Sequence, residues 1–214
     1  MIKVSKISKV YKDKTSEQVV FKNLSLNFNA STSYSIVGPS GSGKTTLLNL
    51  LSGLDSFDDG SINVNGTELY NAGSEAKSKL RKALFGFAYQ FHYLLENLTV
   101  FENCLASCFG NDNGAIKKIL KELEIVHIKD KFPSNISGGE KQRASIARAL
   151  AAKPKILILD EPTGNLDQSN SLIIQNFILN YAKKNKSLVI YATHDISFAE
   201  RADKMLKISD KGLV

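Results

Sequence analysis

The sequence predicts an α/β protein with a parallel central sheet, a β-rich portion near its start and an α-helical subdomain inserted into the α/β core. Three observations predict it. From about residue 153 onward, short apolar runs alternate with helix-length stretches, the pattern of strands joined by crossover helices. Ile156-Leu157-Ile158-Leu159 and Leu188-Val189-Ile190-Tyr191-Ala192 are apolar at every position, as strands covered on both faces are. Ahead of them the pattern from Asn97 to Leu150 is helical, with Ile116, Ile119, Leu120 and Leu123 spaced for one buried face.

In chain order, Ile2 to Val10, Val19 to Phe28 and Tyr34 to Val37 read as strands, rich in β-branched and aromatic residues. A helix is predicted from Lys44 to Ser52. A hairpin follows over Ile62 to Leu69, turning at Asn65-Gly66, the pair that tolerates positive φ at both turn positions. Phe87-Ala88-Tyr89 is strand-like, and Ala144 to Ala152 is an alanine-rich helix. The remainder alternates: strand Lys155 to Leu159, helix Ser169 to Lys184, strand Leu188 to Ala192 and helix Ile196 to Arg201. Nothing repeats and no linker interrupts the chain, so residues 1–214 are expected to form one domain. Residues 1–90 and 153–214 supply the sheets, and about 91–152 the helical subdomain.

At 214 residues and 43% hydrophobic content, the chain can bury a substantial core. Its longest apolar runs are strand-sized, far short of the ~20 residues that span a bilayer. The opening Met1-Ile2-Lys3-Val4-Ser5-Lys6 lacks the apolar stretch of a secretory signal, which predicts a cytosolic chain. The net charge is +7, carried almost wholly by lysine, with arginine only at positions 81, 143, 148 and 201. No block of like charges forms, so these lysines read as a solvated surface in preference to a nucleic-acid or lipid patch. Cys104 and Cys108 have no companions at metal-ligand spacing and read as ordinary thiols.

Chemistry begins at Gly38-Pro39-Ser40-Gly41-Ser42-Gly43-Lys44-Thr45, directly after a strand and directly before a helix that continues with Thr46. Glycines let the backbone wrap a phosphate with its N–H groups inward, and the helix terminus adds positive partial charge. Lys44 is placed for the β- and γ-phosphates and the Thr45 hydroxyl for Mg²⁺. The second half of the site is Asp160-Glu161, at the C-terminal end of the Ile156 to Leu159 strand, where open α/β sheets bind ligands. Asp160 can hold Mg²⁺; Glu161, one residue on, is expected to point elsewhere and polarise an attacking water. Ser137-Gly138-Gly139-Glu140, opening the alanine-rich helix, admits two readings: an N-capped helix after a glycine turn, or a second anion-binding terminus. His194, alone after a strand, is on its own terms only a polar residue at a strand end.

Together these segments resemble the ABC ATPases. Ser137-Gly138-Gly139-Glu140 with Lys141-Gln142-Arg143 looks like that family's signature, and Pro162-Thr163-Gly164-Asn165-Leu166-Asp167 resembles its D-loop. Thr193-His194-Asp195 resembles the switch-histidine segment, Gln90 the Q-loop glutamine, and Tyr11 the aromatic residue set against adenine. The motifs stand in family order over nearly the whole chain. The resemblance implies a P-loop NTPase fold with a RecA-like core, an antiparallel β subdomain and an inserted α-helical subdomain, and an ATPase using ATP and Mg²⁺. It implies a homodimer in which ATP on the Lys44 loop of one chain is closed by Ser137 and Gly139 of the other. Gln90 would touch Mg²⁺ or the attacking water, His194 would contact the γ-phosphate and steady Glu161, and Asp167 would link the two sites.

The stretch Gly86 to Leu95, continuing through Leu98-Thr99 to Glu102-Asn103, is similar to ATPase subunits of lipoprotein-releasing systems. Ser74-Glu75-Ala76-Lys77 and Glu140 in place of glutamine agree with that branch. Ile136 before the signature serine, and Glu96 where a proline commonly stands, depart from it. The implied partners are integral membrane permease subunits, which would hold the ATPase peripherally on the cytoplasmic face of the inner membrane; no nucleic acid is expected. Related branches serve cell division or macrolide and peptide export. Soluble ABC ATPases acting on nucleic acid usually carry a second cassette or a long coiled-coil or zinc insertion, which this sequence does not show, and a P-loop kinase would leave Ser137 to Glu140 unexplained.

Overall fold

The computed structural model describes residues 1–13, 16–108, 113–164, 166–209 and 212–213. Two long strands, β1 (Ile2–Lys12) and β2 (Glu17–Phe28), pair antiparallel and open the chain. The short β3 (Ser33–Val37) leads into α1 (Lys44–Leu51). A hairpin follows, β4 (Asp59–Val64) and β5 (Thr67–Glu68). Asn65 and Gly66 turn it at φ 49° and 93°, the left-handed pair that matches the twist of the flanking strands. These strands form a four-stranded sheet in the order β2-β1-β4-β5.

The second half builds the other sheet. Helix α2 (Ser74–Leu84) precedes β6 (Phe85–Ala88); then come α3 (Val100–Ser107), α4 (Asn113–Glu122) and α5 (Gly138–Ala151). β7 (Ile156–Asp160), α6 (Gln168–Lys184), β8 (Leu188–Ala192), α7 (Ile196–Ala199), β9 (Lys204–Ser209) and β10 (Gly212–Leu213) complete the chain. The sheet order is β10-β9-β3-β8-β7-β6, parallel throughout except for β10.

Every residue of β3, β7 and β8 is buried, because the sheet is covered on both sides. Ile156, Ile158, Leu188, Ile190 and Ala192 face one core, shared with α1 and the antiparallel sheet. Leu157, Leu159, Val189 and Tyr191 face the other, shared with α3, α4, α5 and α6. The strand period of two thus splits each apolar run between two cores.

Within the helical stretch from Asn97 to Leu150, α4 and α5 are separated by 3₁₀ turns at Val126–Ile128 and Pro133–Asn135, where Pro133 fixes the backbone and Ser137 starts a new helix. Residues 109–112 of that block lie outside the described residues. Helix α2 and strand β9 were absent from the sequence reading. α2 contains no buried residue, and β9 is interrupted by Lys204 and Lys207, so neither carries a strong apolar signature. The helix predicted to run to Arg201 ends earlier, at Ala199.

Candidate functional site

The parallel sheet delivers its functional groups at one edge, the C-terminal ends of neighbouring strands. β3 ends at Val37 and the chain turns through Gly38 to Gly43 into α1. Gly43, at φ 96°, occupies a conformation that side chains avoid, and a Cβ there would sit 2.5 Å from Val20 Cγ1, so only glycine fits. α1 begins without a side-chain cap or an acidic residue in its first turn, which leaves its terminal amides to an anion. Ser42 Oγ is buried in this loop with no hydrogen-bond partner, an orphan that a phosphate oxygen would satisfy. Lys44 Nζ donates to Gly38 O (2.7 Å) and Pro39 O (2.9 Å), spanning the mouth of the loop.

Across the sheet, Thr45 Oγ1 donates to Asp160 Oδ2 at 2.7 Å. Asp160 is only 6% exposed; burial raises its pKa above the ordinary carboxylate value, against the pull of the Thr45 hydrogen bond and the Lys44 charge. A hydroxyl and a carboxylate at this spacing are hard oxygen donors of the kind magnesium takes.

Asp160 and Glu161 both line one cleft of about 330 Å³ with Tyr11, Ser40, Gly41, Lys44 and Gln90, Asp160 bonded to Thr45 and Glu161 set against His194. Glu161 adopts φ 48°, which ends the extended backbone of β7. Its N–H still donates to Ala192 O at 3.0 Å, so the turn is held against β8. Glu161 Oε2 lies 2.9 Å from His194 Nδ1. The carboxylate is largely covered and the imidazole is exposed.

Tyr11 stands at the rim, its hydroxyl donating to Asp55 Oδ2 at 2.6 Å. The buried Lys9 pairs with the other Asp55 oxygen at 2.9 Å and lies 4.5 Å above the Tyr11 ring. Lys9 and Asp55, with Gln18 and Val20 of the cleft lining, were missed in the sequence. Only the pairing of β1 with β2 and β4 places them here.

Ser137, Gly138, Gly139 and Glu140 do not line this cleft. Ser137 N-caps α5 in a reciprocal capping box with Glu140: Glu140 N donates to Ser137 Oγ, and Ser137 N and Oγ donate to Glu140 Oε2, both at 2.8 Å. Those hydrogen bonds hold the Glu140 carboxyl below its usual pKa. Asp167 N-caps α6, accepting from Asn170 N and Ser169 Oγ, and its pKa is held well below the ordinary carboxylate range by the same bonds. Asn165 of the same motif lies outside the described residues.

Comparison with known proteins gives consistent results. A family model described as "ABC transporter" matches residues 21–164. A lipoprotein-releasing system ATP-binding protein, LolD, from Pseudomonas fluorescens is 38% identical over 97% of this chain and 94% of its own length. Its namesake from Wigglesworthia glossinidia brevipalpis is 39% identical, covering 98% and 94%. Among solved structures, the dimeric structure of MJ0796, a bacterial ABC transporter cassette, is 30% identical and superposes with a TM-score of 0.92, over 97% of this chain and 94% of that one. The same cassette has been solved as a dimer in a post-hydrolysis state bound to ADP and Pi.

Proposed function

The chain belongs to the ABC transporter family as an ATP-binding, ATP-hydrolysing subunit, and from that premise we propose that it drives the release of lipoproteins from the inner membrane. The observation that carries the chemical part is the Thr45–Asp160 hydrogen bond, which joins the phosphate loop to the strand end that also bears Glu161. The partner and substrate rest on the full-length similarity to lipoprotein-releasing ATPases from several bacteria.

In this reading the Gly38–Thr46 segment wraps the triphosphate with backbone amides, and Lys44 exchanges its carbonyl partners for phosphate oxygens. Thr45, Asp160 and Gln90 hold magnesium, which when bound neutralises phosphate charge. Glu161 takes a proton from the attacking water. His194 fixes the carboxylate through the 2.9 Å contact. Tyr11 offers its ring to the adenine base.

Ser137 and Gly139 serve a second copy of the chain. That fits their distance from their own cleft and the dimeric state of the similar cassette. Residues 91–152 act as a helical subdomain set on the sheets formed by 1–90 and 153–214. No helix among the described residues is long and apolar enough to cross a membrane. Contact with the membrane then runs through permease subunits, at a patch where Phe91 is 75% and Tyr93 61% exposed. The ATPase lies peripherally on the cytoplasmic face.

Affinity capture of the Glu161→Gln chain from detergent-solubilised membranes with ATP tests the proposal. Co-purification of lipoprotein-release permeases is expected. A cell-division or exporter permease would overturn the substrate, and nucleic acid or ribosomes without any membrane protein would overturn the transporter assignment.

A further inference from the structure

The loop after Gln90 is strained, and one helix holds it. His92 and Tyr93 adopt φ 59° and 48°, left-handed values that bulky residues reach only when their surroundings impose them. Their backbone carbonyls are gripped by α5. Arg148 Nη2 donates to His92 O at 3.0 Å, Arg148 Nη1 donates to Tyr93 O, and Ser145 Oγ donates to His92 O at 3.0 Å. The guanidinium is a planar fork able to hold two acceptors at once, and it is half-buried here, where such charge-assisted bonds are strongest.

The same α5 is capped by Ser137 and runs as one unbroken helix to Ala151. The exposed rings of Phe91 and Tyr93 therefore stand on a loop fastened to the body that carries the Ser137–Glu140 segment. On its far side the loop is fastened to α3: Asn103 accepts from Leu95 N at 2.8 Å and donates to Leu95 O and Leu98 O, both at 3.0 Å.

We infer that Arg148, with Ser145, is a positioning clamp that makes the partner-facing loop 91–95 and the Ser137–Glu140 segment move as one unit. It touches neither nucleotide nor reacting atoms. Resting on the function proposed above, it supplies the load path by which a push on Phe91 and Tyr93 reaches the residues that close the other copy's ATP, and by which ATP closure moves the partner. Lysine in place of Arg148 keeps the charge and the stem but cannot hold two carbonyls. The expected consequence is a loop that no longer follows its helix.

Amide hydrogen exchange on the full chain carrying Glu161→Gln, with and without Mg-ATP, reads this directly. With the clamp intact, amides 91–96 and 138–142 should both slow on adding ATP. With Arg148→Lys, 138–142 should still slow while the ATP-dependent slowing at 91–96 falls by about tenfold, the scale of one lost charge-assisted hydrogen bond. Ser145→Ala, a milder change for a chain that Arg148→Lys fails to leave folded, should weaken the link in the same direction. Asn103→Ala should loosen the loop with and without ATP yet leave the coupling. Equal ATP-dependent slowing of both segments in Arg148→Lys and in Ser145→Ala would overturn the clamp. No slowing at 138–142 in the parent chain would instead refute the two-copy ATP site, and the inference with it.

Discussion

Gly86 is the position where the packing of α5 on the sheet can be tested with a single methyl group. A Cβ there would lie 2.2 Å from Ala149 O, 2.8 Å from Pro154 Cγ and 3.1 Å from Ala149 C. A carbon–oxygen contact normally rests at about 3.3 Å or more, so Gly86→Ala requires α5 to retreat from β6 by about 1 Å. The nearest atom is backbone, so no rotamer change relieves the clash. Overpacking of this kind costs about 1–3 kcal/mol, and the absence of an escape puts Gly86→Ala near the upper end. For a chain of this size that corresponds to a fall in Tm of roughly 6–12 °C. The displaced helix also carries Ser137, so ATP turnover should fall more than nucleotide affinity does. Circular dichroism melts and a binding titration with a fluorescent ATP analogue check both parts. A variant melting within about 2 °C of the parent would show that β6 and α5 do not meet as tightly as described.

Three further outcomes follow from the cleft. Glu161→Gln should retain ATP but turn it over about 10²–10⁴-fold more slowly, the usual worth of a positioned proton acceptor; near-normal steady-state hydrolysis would remove Glu161 from that role. Lys44→Ala should lose nucleotide binding along with turnover, since it removes the charge that neutralises the phosphates; unchanged affinity in equilibrium titration would count against the phosphate loop. Asp160→Asn should raise Tm at neutral pH while abolishing magnesium-dependent hydrolysis. Burial raises the Asp160 pKa above its ordinary value of 3.8, so the folded state binds that proton more tightly than the unfolded state. Its ionisation therefore lowers stability above the folded pKa, and the penalty vanishes below the unfolded one. The Tm gain should shrink as pH falls toward 4; a gain of constant size between pH 7 and pH 4 would contradict the sign.

The sequence showed most clearly those features whose cause is local. β3, β7 and β8 were legible because each is an uninterrupted apolar run, and the hairpin because Asn65-Gly66 has few other uses. The phosphate loop was legible from its glycines between a strand and a helix. What stayed hidden depends on distant contacts. Asp55 is unremarkable until β1 and β4 bring it to Lys9 and Tyr11. The turn at Glu161 is held by Ala192 O, which no residue near position 161 announces. α2 lacked a buried face to betray it, and the tie from Arg148 to the 92–93 carbonyls joins positions more than fifty residues apart.

The strand order has a consequence during synthesis. Among the described residues β3 has β8 and β9 for neighbours, and both come late in the chain. When Val37 leaves the ribosome, the phosphate loop behind it is soon chemically complete, yet its strand has nothing to pair with until Ala192 follows. At 5–20 residues per second that wait is roughly 8–30 s. Throughout it, Tyr34, Ile36 and Val37 lack the strands that later flank them. The nascent chain therefore carries every atom of its phosphate cradle long before it has one, and a ribosome stalled anywhere between those points displays an unpaired apolar strand.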